Sequence, residues 1–312
     1  MRKLKVKSIR RSAAGIKEFE LVDLDGKDLA PFTAGSHIEI AAPGGLIRPY
    51  SLCNDPAENH RYVVAVLRES HGRGVSKSMH DKVAPGHLLD VSEPKNHFQL
   101  DEADDHHCVL LAGGIGATPL LAMAYRLRAL GKPFEFHYCV RSTDRLAFRS
   151  ELEAIVAPER LHLHVSNGQP ERRIDIAQVL SNAGVAAQVY CCGPPSLISA
   201  VNGACANRPG IRFRYEQFKT EIPEDATAFE VELARSGKVV QIRDNESILV
   251  ALWRAGCSRP FSCEVGICGT CRTPYLGGEP DHKDELLTMQ ERNSELLICV
   301  SRSRSPRLTL DV

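Results

Sequence analysis

Residues 107–131 read HCVLLAGGIGATPLLAMAYRLRALG, and how this stretch is read decides the fold. HCVLLAGG is a short apolar run, the pattern of a buried strand running into a glycine turn, and TPLLAMAYRLRALG after it is helical. Downstream the alternation repeats: strand FEFHYCV, helix AFRSELEAIV, strand LHLHVS, helix IDIAQVLSNA, strand QVYCC, helix PSLISAVNGACA and a closing strand IRFRYEQF. Strands that alternate with helices imply a parallel sheet of the doubly wound α/β kind.

The turn itself, AGGIGATP (Ala112–Pro119), is a candidate phosphate cradle. Glycines let a phosphate approach the backbone, and a helix N-terminus favours negative charge. It departs from the usual dinucleotide fingerprint, because Gly114-x-Gly116 is followed by Pro119 where a third glycine would fall. A plain tight connection would look similar; the strand-loop-helix setting favours nucleotide binding. CCGPP (Cys191–Pro195) repeats the arrangement at a later strand end. Both loops belong at the carboxyl ends of strands, where doubly wound sheets bind ligands. Cys192 is either a buried strand-end thiol or a cofactor contact.

Upstream, residues 1 to about 100 read as short strands (KLKVKSI, IKEFELV, SHIEIA, RYVVAVL, HLLDVSE) between Gly, Pro and Asp, with one helical turn at Val75–His80. These suggest a small antiparallel barrel. Lys and Arg alternate with apolar residues near the N-terminus, as in an edge strand with its charges outward rather than a targeting signal. RPYSL (Arg48–Leu52) carries a cation suited to phosphate, and GRGVS (Gly72–Ser76) offers N–H and hydroxyl donors at a helix start.

Past a polar linker at Lys219–Ala228, FEVELARSGKVVQI reads as a hairpin turning at Ser236-Gly237. NESILVALWRAG follows as a short helix capped by Asp244 or Asn245 and stopped at Gly256, and RLTLDV is a final strand. SRSRS (Ser301–Ser305) reads as a surface turn. Between them CEVGICGTC places Cys263, Cys268 and Cys271 at Cys-x4-Cys-x2-Cys spacing, with Cys299 further on. That is the ligand pattern of a plant-type [2Fe–2S] centre. Gly266 and Gly269 stand between the ligands, where the backbone must fold tightly and aim N–H groups at sulfur. Structural zinc is the competing reading, but its second Cys-x2-Cys knuckle is absent.

Composition limits the alternatives. The 312 residues carry 39 Lys and Arg against 39 Asp and Glu, a net charge of zero that argues against a nucleic-acid binder. The longest apolar run is broken by glycines and a proline, so no membrane span is expected. Eleven scattered cysteines suit a reducing cytoplasm. The histidines show no metal spacing: His106-His107 and the His162/His164 pair read as surface or strand residues.

RPYSLCNDP, GRGVS, GGIGATP, CGPP and CEVGICGTC, in that order, resemble the phthalate dioxygenase reductase family, to which the reductases of vanillate O-demethylase-type oxygenases belong. The resemblance covers essentially the whole chain. It implies a three-domain protein: an FMN-binding antiparallel barrel (1–102), an NAD-binding domain (103–222) and a C-terminal β-grasp ferredoxin domain (227–312). It also implies electron flow from NADH, rather than NADPH, through FMN and a [2Fe–2S] cluster to a Rieske-type terminal oxygenase, with the reductase a monomer. Carried over, Arg48 meets the FMN phosphate, Tyr50 packs near the ring and Ser51 bonds near its reactive nitrogen. Gly74, Val75 and Ser76 hold the phosphate. Gly114, Gly116, Ala117 and Thr118 cradle NADH, with Cys192, Gly193 and Pro194 near the nicotinamide. Phe218, in YEQF, covers the flavin or packs as a core residue. Cys263, Cys268, Cys271 and Cys299 ligate iron. After the second strand of the NAD domain, VRSTDR sets Arg141, suited to a 2′-phosphate, near Asp144, suited to ribose hydroxyls.

Two other functions compete. The same chain of cofactors could serve a cytochrome P450 or another monooxygenase, and no residue discriminates that case. A redox-sensing regulator would need a signalling module, for which no segment remains. Glu279–Glu295 carries six acidic residues against Lys283 and Arg292, as either a docking surface for a basic partner or a solvated polar face.

Overall fold

A computed structural model describes residues 1–69, 74–218, 222–223 and 225–312. Gly72 and Arg73 of GRGVS, and Lys219–Glu221 and Glu224 of the expected linker, lie outside the described residues. The chain divides into two compact units, Met1–Gln217 and Phe218–Val312.

The first unit opens with a barrel of β1 (Arg2–Ala13), β2 (Ile16–Val22), β3 (Ser36–Ala41), β4 (Ile47–Ser51), β5 (Tyr62–Leu67), helix α1 (Val75–Lys82), β6 (Leu88–Val91) and the short β7 (Lys95–Asn96). The strand order is β4-β3-β6-β1-β2-β5, and a bridge between Leu52 and Val64 joins the two ends. The N-terminal strand is therefore internal, between β6 and β2, and the edge-strand expectation is corrected. Its alternation was read correctly: Leu4 and Val6 are buried, while Lys3 and Lys7 reach Asp90 and Glu20 across the strands at 3.0 and 2.9 Å. Barrel closure, not surface charge, removes the open edge here.

The same unit continues with β8 (Cys108–Gly113), α2 (Ala117–Ala129), β9 (Phe134–Val140), α3 (Arg149–Ile155), β10 (Leu161–Val165), α4 (Ile176–Asn182), β11 (Ala187–Cys192), α5 (Pro195–Cys205) and β12 (Ile211–Glu216). All are parallel, in the order β10-β9-β8-β11-β12. One face packs Leu110, Phe136 and Tyr138 under Leu120, Met123 and Leu127 of α2, and this core extends to Ile16, Ala65 and Phe98 of the barrel portion. The other face packs Val109, Leu111 and Val189 under α4 and α5. Each such side chain contributes roughly 1.5–3 kcal/mol on burial. The shared core therefore fixes the barrel against the sheet.

The second unit is a mixed sheet in the order β14-β13-β19-β15-β17, with helix α6 (Ile248–Arg254) buried through Ile248, Leu249 and Leu252. Its strands are β13 (Phe229–Leu233), β14 (Lys238–Ile242), β15 (Arg272–Gly277), β17 (Glu295–Leu297) and β19 (Arg307–Leu310); β16 (Pro280–Asp281) pairs separately with β18 (Arg302–Ser303). β13 and β19 are parallel and the other pairs antiparallel, the β-grasp arrangement. Ser247 caps α6, accepting from Val250 N at 3.3 Å, so neither Asp244 nor Asn245 is the cap. SRSRS is no surface turn throughout. Arg302 is 5 % exposed, donates to the carbonyls of Glu246 (2.7 Å), Thr227 (2.8 Å) and Arg243 (3.2 Å), and lies over the Phe229 ring. Three carbonyls satisfy its guanidinium, which makes its burial tolerable. Among the described residues, no helix is long and apolar enough to cross a membrane.

Candidate functional site

The sheet order reverses between β8 and β11, which opens a crevice at their carboxyl ends. The two glycine loops meet there. A Cβ on Gly116 would fall 2.2 Å from the Cys192 carbonyl oxygen, and one on Gly113 would fall 2.6 Å from Pro194 Cδ. Gly193 is held the same way, 2.9 Å from Gly113 Cα. These three glycines let the loops touch. Gly114 differs: nothing lies within 4 Å of its Cβ position, and its φ of +55° is left-handed. Of the glycines in this turn, Gly114 is the one facing open space, and Gly113 is a packing position that the sequence reading passed over. Ala117 and Thr118 start α2 and are buried, with Thr118 Oγ1 donating to Ile115 O at 3.0 Å.

Cys192 pairs in register with Ala112 on one side and Glu216 on the other, so β8, β11 and β12 end together. Its thiol is fully buried and pushed well above the usual range by that burial, so it is an uncharged wall. On β4, Ser51 is buried and its hydroxyl donates to Glu216 Oε2 at 3.5 Å, the long limit of a hydrogen bond. Barrel and sheet thus converge on Ser51, Cys192 and Glu216. Burial pushes the Glu216 carboxyl up to about 8 while the Ser51 hydroxyl pulls it down. Its proton affinity is therefore raised toward the neutral range. Glu216 was missed in the sequence because YEQF drew attention to Phe218; its signal is an acid closing a strand of the parallel sheet.

The remaining predicted residues are placed as follows. Tyr50 packs against the barrel core, and burial pushes its phenol up to about 12, against the pull of Arg48. Arg48 pairs with Ile40 in register and its Nη1 donates to Ile47 O at 2.6 Å. Gly74, at φ +83°, precedes α1, Val75 is buried, and Ser76 Oγ accepts from Glu69 N at 3.1 Å. Ser78 Oγ donates to Pro43 O at 2.7 Å, tying α1 to the β3–β4 connection. Arg141 is exposed just past β9, as is Asp144, whose carbonyl accepts from Ala14 N at 2.7 Å. Phe218 opens the second unit and is exposed.

In the second unit the four cysteines come together without a disulfide. The Cys263 and Cys268 thiols share a hydrogen bond, as do those of Cys271 and Cys299. Those bonds lower the Cys268 and Cys271 thiols, while Cys263 and Cys299 are raised by the same bonds and by burial. Backbone N–H groups of Val265 and Ile267 face Cys263, that of Thr270 faces Cys268 and that of Gly266 faces Cys299. Gly266 and Gly269 have φ of +78° and +75°; a Cβ on either would stand 2.9 Å from Val300 or Leu286. Four soft donors ringed by N–H groups, in a loop turned by left-handed backbone at Glu264, Gly266 and Gly269, fit an iron–sulfur cluster. The acidic segment behind the loop is largely neutralised. Asp284 is buried, accepts from Leu287 N at 2.8 Å and faces Arg292 at 3.4 Å. Asp281 is paired with Lys283 and Arg304, and Glu291 and Glu295 with Arg272.

Comparison with known proteins agrees with both halves. Residues 110–203 match the family described as oxidoreductase NAD-binding domain, and residues 231–304 the 2Fe-2S iron-sulfur cluster binding domain. The class is therefore an NADH-dependent oxidoreductase with a [2Fe–2S] domain. The chain is 40 % identical to phthalate dioxygenase reductase of Burkholderia cepacia, over 99 % of this chain and 97 % of that one. It is 39 % identical to the reductase subunit of tert-butanol monooxygenase / tert-amyl alcohol desaturase of Aquincola tertiaricarbonis, over 99 % and 95 %. The solved structure of phthalate dioxygenase reductase, described as modular for electron transfer from pyridine nucleotides to [2Fe–2S], superposes with a TM-score of 0.80 at 40 % identity, covering 100 % and 98 % of the two chains. The chain belongs to the phthalate dioxygenase reductase family.

Proposed function

We propose that this chain is the reductase component of a Rieske-type oxygenase or O-demethylase system in the cytoplasm, acting as a monomer. The observation that carries the reading is the full-length likeness to phthalate dioxygenase reductase, with Ser51, Cys192 and Glu216 converging at the sheet's switch point. The domains would be 1–102 for FMN, 103–222 for NADH and 227–312 for the cluster. Bound there, the three cofactors supply the conversion of a two-electron donor into one-electron transfers.

The chain's own residues do the rest. Arg48 and the backbone at Gly74–Ser76 bind the flavin phosphate, and Tyr50, an uncharged phenol, packs at the ring. The open turn at Gly114, with Gly116, Ala117 and Thr118, receives the dinucleotide phosphates; Arg141 meets the adenosine end. Buried Cys192 with Gly193 and Pro194 walls the nicotinamide side and keeps water out. Ser51 Oγ donates to Glu216 Oε2 at 3.5 Å and so would orient the raised carboxyl, which would serve as a proton donor toward a bound flavin. Cys263, Cys268, Cys271 and Cys299 would hold the iron. Exposed Ile267 and Leu286, beside the cysteine loop, offer an apolar rim for an oxygenase.

The purified protein should contain FMN and iron at about 1:2 and reduce a dye with NADH. Transfer to an oxygenase should need the cluster. A preparation that binds neither flavin nor iron after reconstitution overturns the reading. Pull-down from the source cell, with mass spectrometry, identifies the oxygenase and hence the substrate.

A further inference from the structure

The sheet carries a second cluster of metal-ligating side chains. His137 and His162 are register partners on β9 and β10, and Glu135 lies two residues before His137, so all three project from one face. Their register partners on β8, Val109 and Leu111, belong to the apolar layer under α4 and α5. At β9 and β10 the layer changes from apolar to imidazole and carboxylate. His137 is 4 % exposed, while the Glu135 and His162 side chains are partly open to solvent, so the cluster has a buried imidazole at its base and an accessible rim.

The contacts are those of a site. Glu135 Oε2 is 3.2 Å from His137 Nε2 and 3.9 Å from His162 Nε2, and the ligand atoms of the three lie within 4.8 Å of one another. Tetrahedral zinc with bonds of about 2.0–2.2 Å sets neighbouring ligands about 3.3–3.6 Å apart. His107 Nε2 approaches Glu135 Oε1 at 3.5 Å, yet it is buried with no hydrogen-bond partner. His137 Nδ1 is 3.2 Å from His164 Nε2, which orients the imidazole from its other nitrogen. That second contact is the usual support for a metal-bound histidine.

We propose that Glu135, His137 and His162 bind one borderline divalent cation of the zinc class, with His107 and His164 as positioning residues. Seating the ion requires the His137 and His162 rings, now stacked at 4.5 Å, to splay. The ion would tie the edge strand β10 to β9. Glu135 is the second and His137 the middle residue of β9, whereas the crevice opens at the carboxyl ends of the strands, so the role is structural rather than redox.

The test uses the untagged full-length protein with its flavin and iron in place. Zn2+ is titrated by calorimetry, and metal is counted after gel filtration. One equivalent of zinc beyond the cluster iron is expected. Affinity should fall at least tenfold in Glu135→Gln and in His162→Gln, with NADH–dye reduction unchanged. No binding by the wild type, or equal binding by the variants, overturns the proposal. Cu2+ added to the oxidised wild type gives a check independent of variant folding: its EPR spectrum should show coupling to two imidazole nitrogens. Its absence means a hydrogen-bonded histidine stack and overturns the site.

Discussion

The cysteine loop of the second unit takes three of its four thiols from one short stretch, Cys263–Cys271. The crevice of the first unit takes Ser51, Cys192 and Glu216 from three strands far apart in sequence. The difference is one of tolerance. Ligands on a single loop are held by local backbone geometry, so the loop needs only its glycines and an anchor at Cys299. A site drawn from a barrel strand and two sheet strands exists only if barrel and sheet share a core, here joined through Ile16, Ala65, Phe98 and α2.

The sharpest way to break the comparison is to remove one loop ligand. Cys268→Ser should abolish stable cluster assembly and cut transfer to an oxygenase by about 100-fold or more, while NADH–dye reduction through the first unit survives. Iron analysis alongside the two assays checks this; a parallel collapse of dye reduction would mean the halves are not separable. Next come the crevice glycines. Gly116→Ala must push the Cys192 carbonyl aside and should cost about 2–4 kcal/mol, whereas Gly114→Ala pays only for its left-handed φ, about 1 kcal/mol. Thermal unfolding of the pair measures the gap, and equal losses would refute the loop-on-loop contact.

Glu216→Gln should be milder still in stability but visible in chemistry, slowing NADH-dependent flavin reduction by about tenfold. The native carboxyl holds its proton up to about 8, against 4.5 when unperturbed, so the folded state binds more protons between those values. Wild-type stability must then fall, relative to Glu216→Gln, as pH rises through that window. A pH–rate profile that loses its break near 8 in the variant completes the test. The smallest effects belong to the acidic segment. Asp284→Asn should cost about 1–3 kcal/mol by weakening the Leu287 and Arg292 contacts, while Glu285→Gln, on an exposed side chain, should change stability by less than about 0.5 kcal/mol. Equal losses at the two positions would deny Asp284 its structural role.

Most of the scaffold could be read from the chain. FEFHYCV runs over the same residues as β9, and the helices expected around residues 117–129 and 195–205 form there. The short strands β7, β16 and β18 were not legible, since two residues carry no periodicity. Arg302 looked like surface because a buried guanidinium has no sequence signature; only the three carbonyls that meet it explain its place. His162 and His164 stand on strand β10, as expected, but only parallel register, which no motif records, set His162 beside His137.

What the chain's order of residues determined by itself is whatever depends on neighbours along the backbone. That includes the alternation that builds barrel and sheet, the glycine turns and the cysteine spacing. What only the tertiary structure decided is whatever depends on register and closure. Closure moved β1 between β6 and β2, and sheet pairing joined Glu216 to Cys192 while leaving Gly114, of the glycines in its turn, facing open space. The physical reason is that pairing between distant strands is set by burial of whole faces, a sum over many residues that no single motif records.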